Sequence, residues 1–114
     1  NQILDLTNQD KIVTIWAVTE VSRMLLNLLP NLNNIKIVDS DPRRKEDLLE
    51  TNKLYVNQPK DSIEILKKSS LIVISAPRYF KEINDWIDTN VLNKSQQDIH
   101  IKTLATDKNG KPLT

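Results

Sequence analysis

The sequence predicts an α/β domain in which about five mostly parallel strands, ordered 3-2-1-4-5, lie between helices on both faces. Three observations carry this expectation. Lys11–Val18 (KIVTIWAV) and Leu71–Ala76 (LIVISA) are almost unbroken apolar, β-branched runs, the pattern of strands buried on both faces. The segments that follow them switch to a helical period, so strands and helices alternate along the chain. Asp98–Leu104 (DIHIKTL) instead alternates apolar with polar, which suits a strand exposed on one face.

The elements follow in order. Residues 1–10 (NQILDLTNQD) are polar with three spaced aliphatics, and read as a linker or a short lead-in helix. After the first strand, Thr19–Leu29 changes period. Val21, Met24, Leu25, Leu28 and Leu29 recur at helical spacing and are expected to face the sheet. Pro30 and the Asn-rich Asn31–Asn34 end that helix, and Ile35–Val38 is a second strand closing on Asp39. The charged stretch 40–52 carries Asp41-Pro42, a helix start with Pro at the first helical position. Lys53–Val56 is a short third strand and Gln58-Pro59 a turn. Lys60–Lys68 is a short helix with Ile63, Leu66 and Ile65 inward. Pro77 opens a helix over Arg78–Asn90, with Phe80, Ile83, Trp86 and Ile87 on one face. The domain therefore occupies residues 11–106. A turn signal at Asp107-Lys108-Asn109-Gly110 begins a tail over 107–114. In a sheet of this order the strands at Lys11 and Leu71 are central, and a ligand crevice lies outside their carboxyl ends.

Composition removes several function classes. Among 114 residues, 16 basic and 15 acidic side chains leave a net charge of +1, so no global field steers the chain to nucleic acid. No apolar run is long enough to span a bilayer. Cysteine is absent and there is one His, which excludes disulfides, thiolate nucleophiles and a multi-histidine metal site within one chain. The chain begins with Asn1 and shows no basic-then-apolar leader, so it reads as a piece of a longer, cytoplasmic protein or a trimmed chain.

The segment between the first strand and first helix is where a dinucleotide-binding loop would lie. There the G-x-G-x-x-G positions fall on Ala17, Thr19 and Ser22, and none is glycine. Thr19 sets a β-branched side chain where a pyrophosphate would touch backbone. Glu20 adds a negative charge at the helix N-terminus, an opposition of about 4 kcal/mol at ~4 Å and an effective dielectric near 20. Ordinary pyrophosphate binding is thus disfavoured. Asp39 lies 22 positions after Ala17 (39 − 17), close to the place of a ribose-binding acid; the competing reading is a turn-forming Asp after a strand. Ser40 and Asp41 read as cap residues.

Four motifs in order carry a family resemblance: IWAVTEVS at 15–22, VDSDP at 38–42, LYVNQP at 54–59 and LIVISAPRYFKEI at 71–83. Over residues 11–90 the chain resembles the small Rossmann-like domain found at the C-terminus of sugar C-methyltransferases, and similar domains attached to FkbM-type methyltransferases. The resemblance implies a Rossmann-like three-layer sandwich acting as an accessory module. It would position a nucleotide-sugar or a neighbouring domain, with methyl transfer and any S-adenosylmethionine belonging elsewhere in the parent protein. Of that family's pattern, Asp39 and the Ser75–Tyr79 turn carry over to this chain.

Ser75-Ala76-Pro77-Arg78-Tyr79 ends the fourth strand beside the expected crevice. Arg78 can fork onto a phosphate and Tyr79 can stack on a sugar or base; alternatively the segment is a helix start with a solvated Arg. Ser75 lacks a base to make it a nucleophile, and His100 reads as an exposed edge-strand residue. The run Pro42–Asp47 (PRRKED) reads as a solvated helix start. Trp86 reads as core, and Trp16 as core or crevice wall. No catalytic set emerges. The candidate ligand-contacting positions are Ala17, Thr19, Ser22, Asp39, Ser75, Arg78 and Tyr79. The expected role is a non-catalytic module that needs no cofactor of its own, partnered by other domains or a second copy, with no nucleic acid or membrane. The alternative is an NAD- or S-adenosylmethionine-binding domain of an enzyme.

Overall fold

A computed structural model describes residues 2–29, 32–41, 43, 48–49, 54–92 and 100–103. Of the charged helix start at Pro42–Asp47 only Arg43 is among these residues, and the tail at 107–114 lies outside them. Helix α1 (Gln2–Asn8) leads into β1 (Ile12–Trp16), α2 (Glu20–Leu28) and β2 (Ile35–Val38). Then come β3 (Leu48–Leu49), β4 (Leu54–Asn57), α3 (Ile63–Lys68), β5 (Ser69–Ile74), α4 (Phe80–Ile87) and β6 (His100–Thr103). A 3-10 turn at Pro77–Tyr79 precedes α4, and a π-helical turn at Asp88–Leu92 follows it.

The centre of the sheet is four parallel strands in the order β4-β2-β1-β5. The α/β class and this parallel centre are those the apolar runs predict. β6 pairs parallel to β5 with Ile72 opposite Ile101, while β3 runs antiparallel to β4, with Leu49 opposite Leu54. The antiparallel pair was not expected: the charge density of 40–52 masks the two leucines within it.

Alternation along the strands divides the core into two layers. Val13, Ile15, Ile35, Ile37, Val56, Leu71 and Val73 pack on one face, together with Ile3 and Leu6 of α1 and Leu25 and Leu26 of α2. Trp16, Val38, Ile72 and Ile74 pack on the other, with Leu66 of α3, Ile87 of α4 and Val91 beyond it. The opening segment is thus a helix seated on the core. The only polar side chain buried mid-strand in β1 is Thr14, whose hydroxyl meets that of Ser69 at 2.7 Å. This satisfies both groups where a lone hydroxyl would be costly.

The apolar face of α4 is the expected one: Phe80, Ile83, Trp86 and Ile87 all join the second layer. That of α2 is not. Val21, Met24 and Leu28 are 41%, 66% and 79% exposed, while Ser22 and Leu26 are buried and Leu25 and Leu29 half-buried. The sequence contains two overlapping stripes, 21/24/28 and 22/26/29, sharing Leu25 between them. Hydrophobicity favours the first, and the structure buries the second, with Ser22 also in the Thr19 capping box.

Candidate functional site

The carboxyl ends of β1, β2 and β5 meet around a cavity of about 480 Å³. Its wall includes Trp16, Ala17, Val18 and Thr19 from the β1–α2 turn, Asp39 and Ser40 after β2, and Tyr79, Glu82 and Trp86 from the α4 region. This is the crevice that the strand order predicts. Two of its indoles touch: Trp16 and Trp86 stand edge to face, with ring centroids 5.5 Å apart at 68°, a favoured aromatic geometry.

The β1–α2 turn binds several of its own backbone donors. Ala17 has φ of 91°, a conformation natural to glycine, so the first glycine position survives in backbone shape though not in residue type. The Val18 N–H donates to Asp39 Oδ2 at 2.8 Å, while Asp39 Oδ1 accepts from the Asp41 N–H, also at 2.8 Å. At the start of α2, Thr19 and Ser22 form a capping box. The Ser22 N–H donates to Thr19 Oγ1 at 3.2 Å, and the Thr19 N–H to Ser22 Oγ at 2.8 Å. From below, Ser75 Oγ donates toward the carbonyls of Ala17 (2.7 Å) and Trp16 (3.1 Å). Three amides of the turn, those of Val18, Thr19 and Ser22, are therefore held by protein oxygens, and the Asp39 carboxylate lies beside it.

The structure divides the seven candidate positions. Ala17, Thr19, Asp39 and Tyr79 line the cavity. Ser22 and Ser75 are buried, each 2% exposed, and fasten the loop from inside. The buried Ser75 hydroxyl, aimed at two carbonyls, has the geometry of a strut. Arg78 is exposed and is not in the cavity wall. Glu20 is exposed and also outside the wall. Its opposition to an anion is consequently screened, and Asp39 with the capping box forms the main obstacle. Arg43 is exposed and forks onto Asp41 through Nε (3.1 Å) and Nη2 (3.0 Å); the hydrogen bond and charge of Asp41 raise its pKa.

Glu82 and Trp86 are cavity residues that sequence reasoning passed over. Trp86 belongs to the second core layer and to the cavity wall at once. For Glu82 the available signal was positional, since it lies in the first turn of the helix that follows a central strand. Among the described residues, no group of three or more His, Cys, Asp or Glu side chains is placed to hold a metal ion. None of the described helices is long and apolar enough to cross a membrane. No family model, curated protein or solved structure matches the chain.

The strain at Ala17 has a measurable consequence. Ala17→Gly is expected to stabilise the fold by about 0.5–1 kcal/mol, because relief of a positive φ exceeds the added freedom of the unfolded chain. A urea midpoint lower than that of the parent protein would contradict this.

Proposed function

We propose that the chain is a non-catalytic Rossmann-like module of a larger sugar- or glycan-modifying, methyltransferase-like protein. Its five mostly parallel strands, in the order 3-2-1-4-5, present one crevice that positions a ligand or a neighbouring domain. The resemblance behind the sugar-related part of this reading rests on the four motifs and their spacing. The observation that carries the non-dinucleotide part is the closed turn: Asp39 on the Val18 N–H and Thr19 on the Ser22 N–H. Of a nucleotide-sugar, this crevice suits the sugar or base and opposes the diphosphate at the turn. Other domains of the same parent, or a second copy, are the partners that fit a module without a catalytic set.

A second reading, an NAD- or S-adenosylmethionine-binding domain, is favoured by the glycine-like φ of Ala17 and by the placement of Asp39 in the cavity wall. Calorimetry separates the two. Titration with NAD is expected to give no binding tighter than about 1 mM, which corresponds to roughly −4 kcal/mol. Micromolar affinity for NAD or S-adenosylmethionine would reject the proposal in favour of the second reading. Binding of UDP- or dTDP-sugars without binding of NAD would support the positioning role.

A further inference from the structure

The cavity wall has a charge character that the closed turn alone does not require. Among the described residues it contains two carboxylates, Asp39 and Glu82, and no Lys, Arg or His. Of the described cations near the wall, Arg43 is exposed and paired with Asp41, and Arg78 is exposed outside it. Three aromatic side chains, Trp16, Tyr79 and Trp86, stand in the same wall. Tyr79 is 50% exposed, so an aromatic surface remains available at the mouth, whereas Trp16 is held at 3% exposure deeper in the wall. Asp39 stays charge-complementary to an incoming cation even while it accepts two backbone N–H groups, because each carboxylate oxygen has a second acceptor site.

We propose that this cavity binds a compact organic ammonium group, held by the Asp39 and Glu82 carboxylates and by the aromatic lining. The inference deepens the crevice reading above and rests on it. Aromatic rings attract cations through their quadrupole, and a carboxylate at the rim adds a longer-range attraction that salt weakens. The volume of about 480 Å³ admits a small amine or a single side chain. The ammonium therefore has two chemical sources: a free small amine, or a lysine side chain of a neighbouring domain.

Both tryptophans of the chain stand in the cavity wall, so intrinsic fluorescence reports occupancy. The test titrates the whole chain with choline, with its neutral isostere in which carbon replaces nitrogen, and with Nα-acetyl-lysine amide. Choline is expected to bind at least roughly fivefold tighter than the neutral isostere, with the preference shrinking as salt is added. Glu82→Gln, at an exposed position, is expected to halve that preference or more without changing the melting temperature. Tighter binding of choline points to a free amine, and tighter binding of the lysine amide points to a side chain of a docked domain; either supports the proposal. Equal binding of choline and its isostere overturns the ammonium inference while leaving the crevice reading intact. So does a preference that Glu82→Gln leaves untouched. No fluorescence response to any probe at concentrations on the order of 50 mM overturns the ammonium inference as well, while the crevice reading stands or falls on the nucleotide titrations above.

Discussion

Replacing Trp16 with alanine is expected to lower the unfolding free energy by about 3–5 kcal/mol, and the melting temperature by more than roughly 10 °C. The size follows from position. Trp16 closes β1, is 3% exposed, packs in the second core layer with Val38 and Ile74, and receives the edge or face of Trp86. Truncation leaves a void that the strands cannot collapse to fill, because Trp16 is in register with Val38 on one side and Ile74 on the other. Against a total stability of about 5–15 kcal/mol for a typical domain, the loss is large. Trp16→Phe keeps a ring in the void and should recover a good part of it. Urea denaturation of both variants checks the expectation. A loss below about 1 kcal/mol for the alanine variant would mean that the ring is not wedged as described.

Replacing Asp39 with alanine is the next largest change, about 2 kcal/mol of destabilisation. Its carboxylate accepts the N–H groups of Val18 and Asp41, so removal strips two donors of a charged partner at once. The site is half-buried, and water replaces part of what is lost, which keeps the figure below that of a fully enclosed pair. Asp39→Asn retains one oxygen and should lose less. Hydrogen exchange offers a local reading: the Val18 amide should exchange faster in Asp39→Ala, while Val13, deep in β1, should change only with global stability. An unchanged Val18 rate would show that Asp39 does not hold the turn.

The strands were legible because burial on both faces leaves an unmistakable apolar run, as in β1 and β5. The crevice was legible too, since strand order alone places it beyond Trp16 and Ile74. What the residues did not disclose was the rotation of α2. Val21, Met24 and Leu28 are the more hydrophobic choice, yet the Thr19–Ser22 capping box turns a serine inward. The helix's burial is thus not the one its most apolar stripe indicates. The site shows the same limit. Asp39 could be found by counting from Ala17, but its partner, the Val18 N–H, is a backbone atom with no signature in the sequence. Arg78 has the right chemistry for a phosphate and the wrong direction, because the 3-10 turn at Pro77–Tyr79 directs Tyr79 rather than Arg78 to the cavity.

The Ser75 hydroxyl reaches back 58 and 59 residues to the carbonyls of Ala17 and Trp16. During synthesis, β1, the turn and Asp39 leave the ribosome well before that hydroxyl does. A nascent chain stopped short of residue 75 lacks both the Ser75 clasp on Ala17 and the α4 wall. Such long-range closure comes late in the order of events. The pocket is consequently a product of the finished polypeptide, and a shortened translation product lacks it even where its first two strands are present.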